Sequence, residues 1–110
     1  MTSAPTRRRL PDRRPHLVLD FEHGGFRYTA GIGFFDEACQ QPAEIFLTTN
    51  KQGRLVDINA RDGAIAASLL LQHGCPVETL RRALTRNGDG TASGPLAHAL
   101  DLLQQQTGEK

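Results

Sequence analysis

One stretch of the chain, residues 43–74, limits the possible folds more than any other. It begins with residues 44–49, a run rich in β-branched and aromatic side chains that predicts a buried strand. Residues 50–53 follow as a turn, because Asn50 and Gly53 both tolerate left-handed backbone angles. Residues 54–58 then predict a short partner strand.

The second half of the stretch predicts a strongly apolar helix. Asn59, with Asp62 three residues later, resembles a capping box, so we expect the helix to begin at Asn59. We expect it to end at His73, since Gly74 favours a left-handed helix end. Residues 64–71 contain few polar side chains, and we expect the helix to be covered on most sides.

The flanking segments complete an α+β pattern. Residues 17–21 and 26–35 alternate in polarity, as strands with one buried face do, and residues 76–86 and 95–103 have the apolar spacing of helices. This order predicts an antiparallel sheet of three to four strands followed by three helices packed on one face. We expect a single domain over residues 16–104, a disordered basic arm at 1–15 and a frayed tail at 105–110.

Two glycines mark one face of the second strand. Gly31 and Gly33 alternate with apolar residues, so they share a face and leave room for a close neighbour. We expect the apolar helix to pack flush against them.

Charge is concentrated at the beginning of the chain. Five of the thirteen basic residues lie within the first fourteen positions, where Asp12 is the only acid. The remaining chain carries more acidic than basic residues. A basic arm on a mildly acidic body is typical of a segment that contacts phosphates or an acidic partner, although such arms are also commonly just solvated.

Cysteine content and hydropathy indicate the compartment. Cys39 and Cys75 do not have the spacing of a metal or redox motif, which favours a reducing cytoplasm over a disulfide-stabilised secreted domain. No apolar run approaches the length of a membrane helix, so we expect a cytoplasmic protein without a membrane contact.

The ionisable residues do not form a recognisable catalytic or metal-binding pattern. The four histidines, at positions 16, 23, 73 and 98, lack helical or metal-ligand spacing with a carboxylate companion. Arg81, Arg82 and Arg86 lie late in a predicted helix, where basic side chains stabilise the C-terminal end without any ligand. The sequence therefore predicts no catalytic residue, metal or cofactor.

Two segments carry a family resemblance. Residues 42–53 (PAEIFLTTNKQG) and 68–80 (SLLLQHGCPVETL) resemble TSCPD-domain proteins, and in particular the small C-terminal domain of cobalamin-dependent (class II) ribonucleotide reductases. The cysteine-bearing signature of that family is absent here. A reductase barrel with its radical cysteine and cobalamin site does not fit in 110 residues.

The resemblance implies a non-catalytic accessory or protein-interaction domain linked to deoxyribonucleotide synthesis, with a protein partner or a second copy of the chain bound at a sheet edge or face. An alternative is a nucleic-acid or nucleotide binding module. Its phosphate contacts would come from the basic residues Arg7, Arg8, Arg9, Arg13, Arg14, Lys51 and Arg54. A small enzyme is a third hypothesis, for which the sequence offers no nucleophile with a matching base.

Overall fold

The computed structural model describes residues 6–50 and 53–107. Its elements, in chain order, are β1 (His16–His23), β2 (Phe26–Phe34), β3 (Pro42–Thr49), α1 (Leu55–Gln72), α2 (Val77–Ala83) and α3 (Pro95–Thr107). The strands form one antiparallel sheet in the order β1-β2-β3. The predicted α+β fold, a sheet followed by three helices, is confirmed.

The first two strands form a hairpin through a glycine turn. The register pairs His16 with Gly33 at one end and His23 with Phe26 at the other. Gly24 and Gly25 both have positive φ angles, of 59° and 85°, which glycine adopts without steric cost. The turn therefore sets the register that places alternate β1 residues on the core side.

The core lies between one face of the sheet and the helices. The central strand β2 contributes side chains with at most 3% exposure, namely Tyr28, Ala30, Ile32 and Phe34. Helix α1 covers the β3 side of this face, and α3 packs near β1. The core members from α3 include Ala99, Leu100 and Leu103.

The predicted partner strand at residues 54–58 is wrong. Helix α1 already begins at Leu55, and its N-cap, Arg54, makes no side-chain capping hydrogen bond. The predicted start at Asn59 is therefore also wrong. Val56 and Ala60 contact the core one helical turn apart, as an α-helix with one buried side requires.

The expectation that the apolar helix is covered on most sides is also wrong. Small residues, Ala60, Ala64 and Ala67, form its buried side and allow a close approach to the sheet. Its larger side chains point away, with Leu55 71% and Ile65 58% exposed. One three-stranded sheet buries only one side of the helix, so an apolar side remains in solvent.

Gly31 and Gly33 do not face the helix. They lie on the opposite face of the sheet, in rows with Val18 and Phe46 for Gly31 and with His16 and Glu44 for Gly33. The predicted packing of the helix against them is wrong. Gly33 instead leaves space for the side chain of Glu44.

Within the described ranges, none of the helices combines the length and the apolar character that crossing a bilayer demands.

Candidate functional site

Helix α1 occupies the outer edge of β3 with polar side chains. Ser68 Oγ accepts a hydrogen bond from the Ile45 amide at 2.8 Å and donates one to the Ile45 carbonyl at 3.0 Å. Gln72 Nε2 donates to the Ala43 carbonyl at 2.9 Å. These bonds replace the strand partner that an edge otherwise attracts.

Asp57 closes the other end of the same edge. Its Oδ1 accepts a hydrogen bond from the Thr49 amide at 3.1 Å, and its Oδ2 lies 2.8 Å from Arg61 Nε. The Arg61 hydrogen bond, helped by the Thr49 amide, holds the pKa of Asp57 below its usual value despite the opposing effect of desolvation. The carboxylate is therefore charged at neutral pH.

A groove of about 460 Å³ runs between α1 and β3. Three apolar side chains flank it, Phe46 from β3 and Ile65 and Leu69 from α1, with exposed fractions of 55%, 58% and 40%. We call these three residues the groove surface. They are missing from the set of residues predicted from the sequence, although a helix with hardly any polar side indicates that some apolar residues must face outward.

Charged and polar residues surround the groove surface. Arg7 and Gln72 line the groove near the end of α1, and Arg61 and Asp62 line it about three turns earlier. An apolar centre with a mixed-charge rim is the usual composition of a protein-binding surface.

The predicted basic arm rests against the domain at several points. Arg7 Nε donates to Gln72 Oε1, and the Arg8 guanidinium lies 3.8 Å from the centre of the Phe35 ring. Arg14 Nε lies 2.8 Å from Glu44 Oε2, and that hydrogen bond raises the pKa of Arg14. The guanidinium groups of these three arginines already have partners within the chain.

The remaining predicted basic residues are exposed or lie outside the described residues. Arg9 pairs only loosely with Asp12, at 3.7 Å, and Arg13 is exposed. Arg54 is exposed at the N-terminal end of α1, about 27 Å along the helix axis from the end that Arg8 contacts. Lys51 lies outside the described residues. Among the described members of the predicted phosphate-contact set, Arg54 therefore lies apart from the arginines of the arm.

The arginines of α2 and its following loop are held by acids. Asp101 on α3 accepts hydrogen bonds from Arg81 at 2.9 Å and from Arg86 at 2.5 and 2.9 Å. Glu78 binds Arg81 and Arg82, and these bonds lower the pKa of Glu78 to about 2. The ion pairs with Asp101 join α2 and its following loop to α3, and Arg86 lies beyond the end of α2 instead of within the predicted helix.

Two histidines meet where β1 and α3 come together. His23 Nδ1 lies 2.9 Å from His98 Nδ1, and the His98 ring packs 4.7 Å from the Phe21 ring. Burial, together with the neighbouring His23, lowers the pKa of His98. Among the residues that the structure describes, no three metal-ligating side chains cluster.

Comparison with known proteins gives one consistent match. A vitamin B12-dependent ribonucleotide reductase of Streptantibioticus cattleyicolor is 36% identical over 76 residues, which cover 68% of this chain and 12% of that protein. The chain resembles a small part of vitamin B12-dependent ribonucleotide reductases. The enzyme of Streptomyces clavuligerus is also 36% identical and that of Rhodopirellula baltica 30% identical, with 8% and 7% of their lengths covered.

The resemblance to cobalamin-dependent reductases predicted from residues 42–53 and 68–80 is therefore confirmed. The chain spans only about a tenth of the length of these reductases. No family model and no solved structure matches it.

Proposed function

We propose that this chain is a non-catalytic accessory domain that binds a vitamin B12-dependent ribonucleotide reductase and so contributes to deoxyribonucleotide synthesis. The observation that supports this proposal is the groove surface. Phe46 and Ile65 are each more than half exposed, and with Leu69 they line one groove. Clustered exposed apolar side chains of this kind typically mark an interaction site.

The shape and chemistry of the groove suit a protein side chain. Phe46 and Ile65 provide an apolar surface on both sides of the groove, and Arg61 and Asp62 provide opposite charges on its rim. An apolar anchor from a partner would displace water from this surface, and the rim would fix its orientation.

The relatives support a reductase as the partner. In each of them the matched segment makes up only 7–12% of the protein. The counterpart of this domain there belongs to a far longer chain, which offers surfaces for it to contact. We infer that this domain has a surface complementary to such a chain.

The arrangement of the basic residues does not favour nucleic acid as the ligand. Arg7, Arg8 and Arg14 make contacts within the chain, and Arg54 lies at the far end of α1. A nucleic-acid site requires cationic side chains that are free to meet consecutive phosphates. Protein binding is therefore the function that we propose.

A calorimetric titration tests the proposal. The purified chain is titrated into a purified vitamin B12-dependent ribonucleotide reductase from the same organism. We expect saturable binding by the wild-type chain and at least a tenfold loss of affinity for the double variant Ile65→Glu, Leu69→Glu, because two charges would be buried against an apolar partner.

The control is Ala83→Glu, which places one such negative charge on an exposed position of α2, away from the groove. We expect this variant to bind as the wild type does. Circular dichroism checks that all variants remain folded. Absence of binding by the wild-type chain, or equal affinity for the double variant, would contradict the proposal.

A further inference from the structure

The two outer edges of the sheet differ in whether other parts of the chain cover them. The outer edge of β3 is occupied by side chains of α1, including Ser68 and Gln72. The outer edge of β1 has no such cover within residues 6–50 and 53–107, where no backbone hydrogen bond from another element reaches the outward groups of β1. An uncovered edge of eight residues is a template for another strand.

The register identifies the outward groups. The Phe34 amide donates to the Pro15 carbonyl at 3.1 Å, so odd-numbered residues of β1 form the hydrogen-bonded pairs with β2. The amides and carbonyls that point away from β2 are therefore those of the even-numbered residues: His16, Val18, Asp20 and Glu22.

The apolar side chains of β1 are incompletely buried. Leu17 and Leu19 pack against the core but remain partly exposed, whereas Ala30 and Ile32, their neighbours on β2, are fully buried. A strand added beside β1 would cover these side chains as well as pair its backbone groups.

We propose that the occupant of this edge is a second copy of the chain, with β1 pairing antiparallel to β1 of the partner about a two-fold axis at Leu19. His16 then lies opposite Glu22 of the partner copy, and Val18 lies opposite its Asp20. All four outward residues form hydrogen-bonded pairs, and the two sheets join into one of six strands.

Charge and strand length select this register among those that pair even-numbered residues. A two-fold axis at Asp20 would place two carboxylates directly opposite each other, which is destabilising. An axis at Val18 would pair only residues 16–20 within the strand and would place Glu22 opposite Arg14, which precedes the strand. An axis at Leu19 pairs seven of the eight strand residues, 16–22. At both ends it sets Glu22 against His16, which lies 3.6 Å from Glu44 of its own copy.

This surface is separate from the groove surface. The groove lies beside β3, and β2 separates β3 from β1. The dimer can therefore form whether or not the chain binds a reductase, and it leaves the grooves of both copies accessible.

Light scattering and a cysteine cross-link test the dimer and its register. We expect the wild-type chain to have twice its 12.0 kDa mass in light scattering. For cross-linking, Leu19→Cys is made in a background with Cys39→Ser and Cys75→Ser. Residue 19 of each copy would form a non-hydrogen-bonded pair with Cα atoms about 4.5 Å apart, within reach of a disulfide.

Two control variants in the same background distinguish the proposed register from a shifted register and from non-specific cross-linking. Val18→Cys places the thiols two residues out of register, and Thr29→Cys places them on the inner strand β2, where Thr29 is exposed. We expect mild oxidation to cross-link only Leu19→Cys. A monomeric wild-type chain would overturn the dimer, and preferential cross-linking of Val18→Cys would overturn the register.

Discussion

The side chain of Glu44 on β3 lies directly over the α-carbon of Gly33 on β2. A β-carbon at position 33 would lie 2.9 Å from Glu44 Cγ and still closer to its carboxylate. Glu44 is only 7% exposed, and Arg14 holds its carboxylate at 2.8 Å. The missing side chain at Gly33 therefore leaves room for Glu44, and the ion pair of Glu44 with Arg14 holds the arm against the sheet.

Replacing Gly33 with alanine should displace Glu44 and weaken its contact with Arg14. We expect Gly33→Ala to lower the free energy of unfolding by about 1–3 kcal/mol, the usual cost of overpacking a close contact. Urea unfolding followed by circular dichroism measures this change.

The matched control is Gly31→Ala on the same strand and face. A β-carbon there would lie 3.8 Å from Phe46, an ordinary contact distance. We expect a change within about 0.5 kcal/mol. Equal losses for the two variants would show that Glu44 has room to move aside.

Ser68 should matter for stability because it satisfies two backbone groups of Ile45. Ser68→Ala leaves that amide and carbonyl without their partner at the edge of β3. We expect a loss of about 1–3 kcal/mol in the free energy of unfolding. Asn59→Ala, an exposed polar-to-alanine change on the same helix, should cause no comparable loss in the same urea experiment.

Stability should fall in mild acid because of His98. Its pKa is lowered in the folded protein by burial and by His23, with Asp101 opposing. The unfolded chain therefore takes up the proton first, near pH 6.5, and the stabilising effect is lost as the pH falls through the folded pKa.

The variant His98→Gln isolates this effect. Its difference in stability from the wild type at pH 8 measures the packing that is lost, and we expect that difference to narrow as the pH falls from 8 to 5. Urea unfolding at each pH provides the values. A constant difference would show that protonation of His98 is not coupled to folding.

The contact of α3 with the arginines should contribute to stability in a salt-dependent manner. Asp101→Asn weakens its bonds with both Arg81 and Arg86, and we expect a loss of about 1–2 kcal/mol at low salt that shrinks as salt is added. Thermal unfolding at two ionic strengths measures both quantities. A loss that is the same at both would indicate a packing defect instead of lost ion pairing.

Much of the fold follows from local patterns, and the errors have a common cause. Alternating polarity predicts β1 and β2, and Pro76 marks the start of α2. Local pattern does not place the start of α1, because Leu55, Val56 and Ile58 satisfy both strand and helix spacing. The helix is favoured over the strand because the Asp57 carboxylate accepts a hydrogen bond from the Thr49 amide. Thr49 becomes adjacent to Asp57 only after folding.

The candidate site shows the same limit. The apolar composition of α1 is evident from the sequence. How many of its apolar side chains are buried depends on how many other helices and sheets pack around the helix. Ile65 and Leu69 are exposed because one sheet covers only the alanine side of α1. Likewise, the five arginines of the arm predict a cationic site, whereas Glu44 and Gln72, distant in sequence, bind two of them.

Hydrogen exchange measured by mass spectrometry tests the central proposal most directly, since it locates the surface that a partner covers. On addition of the vitamin B12-dependent reductase, we expect exchange to slow in peptides that span residues 61–72 and 43–49, and to stay unchanged in α2. Unchanged exchange in residues 61–72 in the presence of saturating reductase would contradict the assignment of the groove surface as the binding site.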